Sequence, residues 1–205
     1  MIGSIGLAGS HRTGKTTLAR IYAERYELPF VETNVSDAFK SMGYDPKEDY
    51  DFTTRLYIQG MLLDHMDTVF DDAPDVFIAD RTPIDLMLYT MSEVTRYTVD
   101  VTLSDAYKRY IRHCYEMAND YFSMMVLVQP GIRIVEDEGK APANEAYMEH
   151  LNALTKGLLL DSRLEAKVLA LPASMTDIAD RVSAVRSAAK KTIEMALSGA
   201  GIVSH

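Results

Sequence analysis

Gly9-Ser10-His11-Arg12-Thr13-Gly14-Lys15-Thr16 lies between an apolar run, Ile2 to Ala8, and a segment of helical character, Thr17 to Arg25. The pattern Gly-x-x-x-x-Gly-Lys-Thr, with a strand before it and a helix after it, is the phosphate-binding P-loop in the context that the motif requires. Gly9 and Gly14 permit backbone torsions that side chains would obstruct, so several N–H groups can converge on one anion. The helix that opens at Lys15 adds unpaired N–H groups and the positive end of its dipole. The octet and the following Thr17 therefore form a candidate triphosphate cradle. Lys15 is placed to reach the β- and γ-phosphates, and the Thr16 hydroxyl to ligate Mg²⁺.

Outward from this loop, apolar strand-like runs alternate with helical periodicity. Strands are expected at Ile2–Ala8, Leu28–Val31, Asp75–Ala79, Met124–Val128 and Lys167–Leu171. Helices are expected over 14–26, a short segment capped by Ser36 or Asp37, 51–70, 83–95, 103–120, 143–160 and 176–197, with a loose tail at 198–205. Strands alternating with helices imply a three-layer α/β fold, a five-stranded parallel sheet flanked by helices, in one domain spanning 1–205. Ligands of such sheets bind at the C-terminal ends of the strands. That rule gathers the P-loop, Glu32, Asp80-Arg81 and the polar segment 130–143 onto one rim.

Phosphoryl transfer needs positioning, Mg²⁺ and positive charge around the equatorial oxygens rather than covalent help. Asp80, at a strand end, suits a ligand of Mg²⁺ or a base for an acceptor hydroxyl. Arg81 beside it can grip a phosphate or an acceptor oxygen in a two-pronged fashion. Arg133 and Lys140 flank Glu136-Asp137-Glu138 in a segment that reads as a lid over the nucleotide phosphates. Glu32 is a second candidate base. Arg55 and Gln59, four residues apart on one helix face, read as contacts to an acceptor base or sugar within an acceptor-binding segment, 33–72, with Arg55 equally readable as an exposed salt-bridge partner. Tyr44, Tyr50, Phe52 and Tyr57 fall in the same segment and serve either as core or as a stacking surface.

The chain of 205 residues is 47% hydrophobic and carries a formal net charge of −9. That balance excludes a general nucleic-acid coat, because counterion release needs a basic face. No apolar run reaches the roughly 18 residues of a membrane span. A single cysteine, Cys114, rules out an internal disulfide and reads as a packed thiol in a reducing compartment. The expectation is a cytoplasmic protein without membrane association, and a homodimer remains open.

Three segments together resemble the P-loop kinase superfamily in its nucleoside and nucleotide kinase branch: Gly9 to Thr16, Asp80-Arg81-Thr82-Pro83-Ile84-Asp85, and Gly131-Ile132-Arg133-Ile134-Val135-Glu136-Asp137. The Asp-Arg-Thr-Pro-x-Asp segment looks like that of small AAA-like phosphotransferases, many of them phage-encoded. It is also similar to the Asp/Glu-Arg-Ser element of deoxynucleoside kinases and the Asp-Arg of thymidylate kinases. The resemblance implies ATP with Mg²⁺ and transfer to a nucleoside or nucleotide acceptor, with Arg81 holding acceptor or phosphate and Glu32 as the base. Three activities stay open: a kinase of nucleosides or deoxynucleoside monophosphates, a DNA-modification kinase acting on 5-hydroxymethyluracil in a DNA strand, and a regulatory ATPase transferring phosphate to water.

Overall fold

The computed structural model describes residues 3–45, 48–94, 101–132 and 144–200. Five strands, β1 (Ser4–Ala8), β2 (Phe30–Val31), β3 (Ile78–Ala79), β4 (Phe122–Val128) and β5 (Lys167–Leu171), form one sheet in the order β2-β3-β1-β4-β5. Every pairing is parallel. Among the described residues seven helices connect and cover the strands: α1 (Lys15–Tyr26), α2 (Val35–Ser41), α3 (Phe52–Asp71), α4 (Pro83–Ser92), α5 (Val101–Tyr121), α6 (Glu145–Leu159) and α7 (Ile178–Ala200). The five-stranded parallel α/β architecture expected from the sequence is the one observed.

Successive strand residues point to opposite faces, so β4 feeds two cores. Met124, Val126 and Val128 pack with Leu18, Tyr22, Val182 and Val185 beneath α1 and α7. Phe122, Met125 and Leu127 pack with Leu62, Met66, Leu88, Tyr115 and Leu151 beneath α3, α4, α5 and α6. Burial on both faces explains why this strand carries no charge. Leu18 and Leu62 are at most 1% exposed, so truncating either to Ala costs about 2–5 kcal/mol.

Helix starts follow local chemistry. The Asp51 carboxylate accepts from the Thr54 N–H at 2.7 Å and opens α3. Asn144 accepts from the Tyr147 N–H at 3.0 Å and opens α6. Pro83 occupies the first turn of α4, where its missing N–H costs nothing. The short helix in the acceptor segment starts two or three residues earlier than expected. Its N-cap is Asn34, in the left-handed region at φ 47°, rather than Ser36 or Asp37. β2 and β3 are only two residues long; just before β3 the Phe77 N–H donates to the Ser4 Oγ at 3.1 Å, and the Phe77 carbonyl accepts from the Ile5 N–H at 2.9 Å. α7 extends to Ala200, into the stretch expected to be a loose tail; residues 201–205 lie outside those described. Among the described residues no helix is long and apolar enough to cross a membrane.

Candidate active site

The P-loop links β1 to α1, and its two glycines are set by geometry. Gly9 has φ 143°, and a Cβ there would fall 2.6 Å from the Val128 carbonyl oxygen. Gly14, at φ 86°, caps α1. Ser10 and Thr13 are buried, and the Thr13 hydroxyl donates to the Ser10 carbonyl at 3.1 Å. Arg12 adopts φ 60°. Thr17 is exposed in the first turn of α1.

Lys15 folds back over the loop. Its Nζ donates to the carbonyls of Gly9 at 2.7 Å and Ser10 at 2.8 Å, and lies 3.8 Å from Asp85 Oδ1. Burial lowers its pKa to about 8, against the pull of Asp85, while Arg81 adds to the lowering. Thr16 donates to Asp80 Oδ2 at 2.5 Å, which joins the start of α1 to the end of β3. Asp80 is 6% exposed. Two oxygens of the hard type that Mg²⁺ prefers are thus side by side at the P-loop.

Asp85 is the residue that sequence reasoning did not place in the site. Its Oδ1 accepts from the Gly9 N–H at 3.2 Å, and its Oδ2 accepts from both the Thr82 N–H and the Thr82 hydroxyl at 2.9 Å. One buried carboxylate therefore fixes the first glycine of the loop, the lysine and the start of α4. Burial raises the Asp85 pKa, while Lys15 and Arg81 oppose the rise. The Thr82-x-x-Asp85 spacing was the available signal, and it reads as an ordinary capping box.

Arg81 sits among Tyr89, Asp85 and Asp80. Burial alone would lower its pKa, and these three groups outweigh that and raise it. His11 is half-buried, its ring 6.2 Å from that of Tyr147, and its Nε2 has no hydrogen-bond partner among the described residues. Its pKa is lowered by burial first and then by Lys15, Arg12 and Arg81.

The other rim is built from β2, α2 and α3. Val31 and Ala79 pair in register, so Glu32 and Asp80 follow at the same level on neighbouring strands. The exposed Glu32 carboxylate is held by Arg20 Nη2 through both oxygens, at 3.0 and 2.9 Å. Arg55 pairs with Glu93 at 3.0 Å and lies 5.3 Å from the Tyr50 ring centroid, so it ties α3 to the end of α4. Gln59 is 6% exposed and its Oε1 has no partner among the described residues; the same holds for the Thr33 Oγ1. Phe52 is core, whereas Tyr57 is exposed. The structure thus brings Lys15, Thr16, Asp80 and Arg81 together and places Glu32 beside them on the next strand. Arg133 and Lys140, with most of the expected lid, lie outside the described residues.

A family described as an AAA domain matches residues 4–181. The chain belongs to the AAA domain family. Its fold is that of P-loop kinases, as the resemblance implied. The structure of deoxyadenosine kinase from M. mycoides with bound dCTP is 14% identical, covers 92% of this chain and 99% of its own, and superposes with a TM-score of 0.63. NadR protein in complex with NR is 18% identical, with 90% of this chain matched to 51% of that one and a TM-score of 0.63. YorR protein from Bacillus subtilis, in complex with phosphorylated GDP, is 13% identical over 98% of this chain and 99% of its own, with a TM-score of 0.52. At such identities these structures speak for the fold. No curated protein matches the chain.

Proposed function

We propose that this protein is an ATP- and Mg²⁺-dependent phosphotransferase that moves the γ-phosphoryl group to a hydroxyl or phosphate of a nucleoside or deoxynucleoside monophosphate. The observation that carries the reading is the contact between Thr16 and Asp80, which sets the end of the P-loop against the strand end that bears Arg81. The donor set fits the cofactors. Mg²⁺ would be held by the Thr16 hydroxyl and the Asp80 carboxylate, and bound there it neutralises charge on the phosphoryl oxygens. The triphosphate would lie on the loop N–H groups, with Lys15 exchanging two carbonyl contacts for phosphate oxygens.

This chain's residues then divide the work. Lys15 and Arg81 offset the charge that spreads over the transferred group. Asp85 keeps the loop and Lys15 in place. Glu32, oriented by Arg20 and level with Asp80, accepts the proton of the acceptor hydroxyl. Gln59 and Thr33 offer buried, unsatisfied oxygens on the acceptor side, where an amide or hydroxyl of a nucleoside offsets the cost of leaving them unpaired. A deoxyadenosine kinase with bound dCTP is among the similarly folded structures, which supports this acceptor class.

The test is transfer of label from γ-³²P-ATP to a panel of nucleosides, nucleoside monophosphates and DNA containing 5-hydroxymethyluracil. Label in a small-molecule acceptor is the expected result. Label confined to polymer identifies the DNA-modifying activity instead, and label released only as inorganic phosphate identifies an ATPase.

A further inference from the structure

One buried cation reaches the P-loop from the far end of the chain. Arg181, in the first turn of α7, is 2% exposed. Its Nη1 donates to the Thr13 carbonyl at 2.9 Å, and its Nε donates to the Met175 carbonyl at 2.6 Å. Its Nη2 has no hydrogen-bond partner among the described residues. A guanidinium offers five N–H donors in a fixed fork, and a buried donor left unpaired costs free energy. Burial also lowers the Arg181 pKa, so its charged form lacks full compensation.

Three chain segments converge at this side chain. The P-loop contributes Thr13 and Gly14; a Cβ built on Gly14 would lie 3.5 Å from Arg181 Nη1 and 3.4 Å from Ile132 Cδ1. The segment after β4 presses on the segment after β5, since a Cβ on Gly131 would overlap the Ala173 carbonyl oxygen at 1.9 Å. Gln129 Nε2 donates to the Leu171 carbonyl at 3.1 Å and fastens the same two segments. In the sheet order, Asp80 follows β3 on one side of β1, whereas β4 and β5 lie on the other. The transferred phosphoryl group belongs beside Thr16 and Asp80. The remainder of the donor must then lead away from β3, toward the β4 and β5 loops that meet at Arg181.

We infer that Arg181 is a positioning residue of the donor site: its Nε and Nη1 fasten the P-loop to the β5–α7 turn, and its remaining Nη2 donates to an oxygen or ring nitrogen of the donor's nucleoside. The inference rests on the reading that the P-loop holds a nucleoside triphosphate. It assigns to the last helix a part in recognising the nucleoside rather than the phosphates.

The experiment is calorimetric titration of the full-length chain, in the presence of Mg²⁺, with ATP and separately with inorganic tripolyphosphate. Wild type is compared with Arg181→Ala and Arg181→Lys; the lysine variant retains a cation that can reach one carbonyl, which guards against a failure to fold. The expected result is a loss of ATP affinity of about tenfold or more in both variants, from one charge-assisted hydrogen bond. Tripolyphosphate affinity should change by less than about threefold in Arg181→Lys, because the loop keeps its tether. Equal losses for the two ligands in Arg181→Lys, or no loss for either, overturn the inference. Wild type that binds neither ligand overturns the donor-site reading together with it. A chain that shows the predicted ATP-specific loss, yet transfers phosphate to no acceptor, supports the inference and refutes the proposed function.

Discussion

The Thr16 hydroxyl donates to Asp80 Oδ2 across 2.5 Å, so the last residue of the P-loop octet and the residue that follows β3 share one hydrogen bond. Neither residue is near the other in sequence, and the parallel pairing of β1 with β3 is what brings them together.

Replacing either partner should separate binding from turnover. Asp80→Asn and Thr16→Val are each expected to lower kcat by about 10²–10³, the size of effect seen when one group aimed at transition-state charge is removed. The Kd for ATP measured without Mg²⁺ should change little. Steady-state kinetics beside calorimetry checks this, and an unchanged kcat would remove Asp80 and Thr16 from the metal-binding role.

Lys15, at about 8 in place of the usual 10.5, makes donor binding a proton-linked event. Bound phosphate anions favour the ammonium form and raise its pKa. Above pH 8 the free protein carries a neutral amine, so binding takes up a proton and affinity falls as pH rises; below pH 7 the amine is charged in both states and the dependence vanishes. Titrations at pH 8.5 in two buffers of different ionisation enthalpy should report this uptake. The same group affects folding: the native value lies below the unfolded one, so between about 8 and 10.5 its contribution to stability improves as pH rises.

Asp85 accepts from two backbone N–H groups and a hydroxyl, and none of those donors can turn into an acceptor toward an amide N–H₂ except the hydroxyl. Asp85→Asn therefore loses one backbone contact and the charge that faces Lys15. The expected cost is about 1–3 kcal/mol and a fall in Tm of about 2–10 °C. ATP affinity should fall as well, because Gly9 and Lys15 lose their common anchor. Thermal unfolding and calorimetry on the one variant test both parts.

The two candidate bases are distinguished by paired variants. Glu32→Gln should abolish acceptor-dependent transfer while leaving Mg²⁺-ATP binding within about twofold. Arg81→Ala should reduce turnover by about 10² and ATP binding far less. Gln59→Leu should raise the acceptor KM with no change in the KM for ATP. Full transfer activity in Glu32→Gln would assign the proton to Asp80.

The donor half of this picture is legible in the sequence because its chemistry is local. Eight consecutive residues specify the loop, and an apolar run on one side with a helix on the other specifies its setting. The strand order's effect is only partly legible. Glu32 and Asp80 each stand at a strand end, but their common level depends on the register of β2 and β3. Asp85 reads as a helix cap because its contact with Thr82 spans three residues, whereas its contact with Gly9 spans 76. Arg181 is less visible still: the bond to Thr13 crosses 168 residues, and a lone arginine in a terminal helix carries no pattern. The two-residue length of β2 and β3 is no more visible, since no periodicity announces it.

That shortness divides the sheet mechanically. β2 holds β3 through two residue pairs, whereas β4 holds β5 through five. Fewer ladder bonds put local opening at a lower free energy on the β2 side. Amide exchange should accordingly be faster along β2 and α2 than along β4. A molecule entering beside Glu32 can thus displace that edge without loosening the strands that seat the P-loop: compliance is confined to one flank of the sheet, and the phosphate cradle is insulated from it.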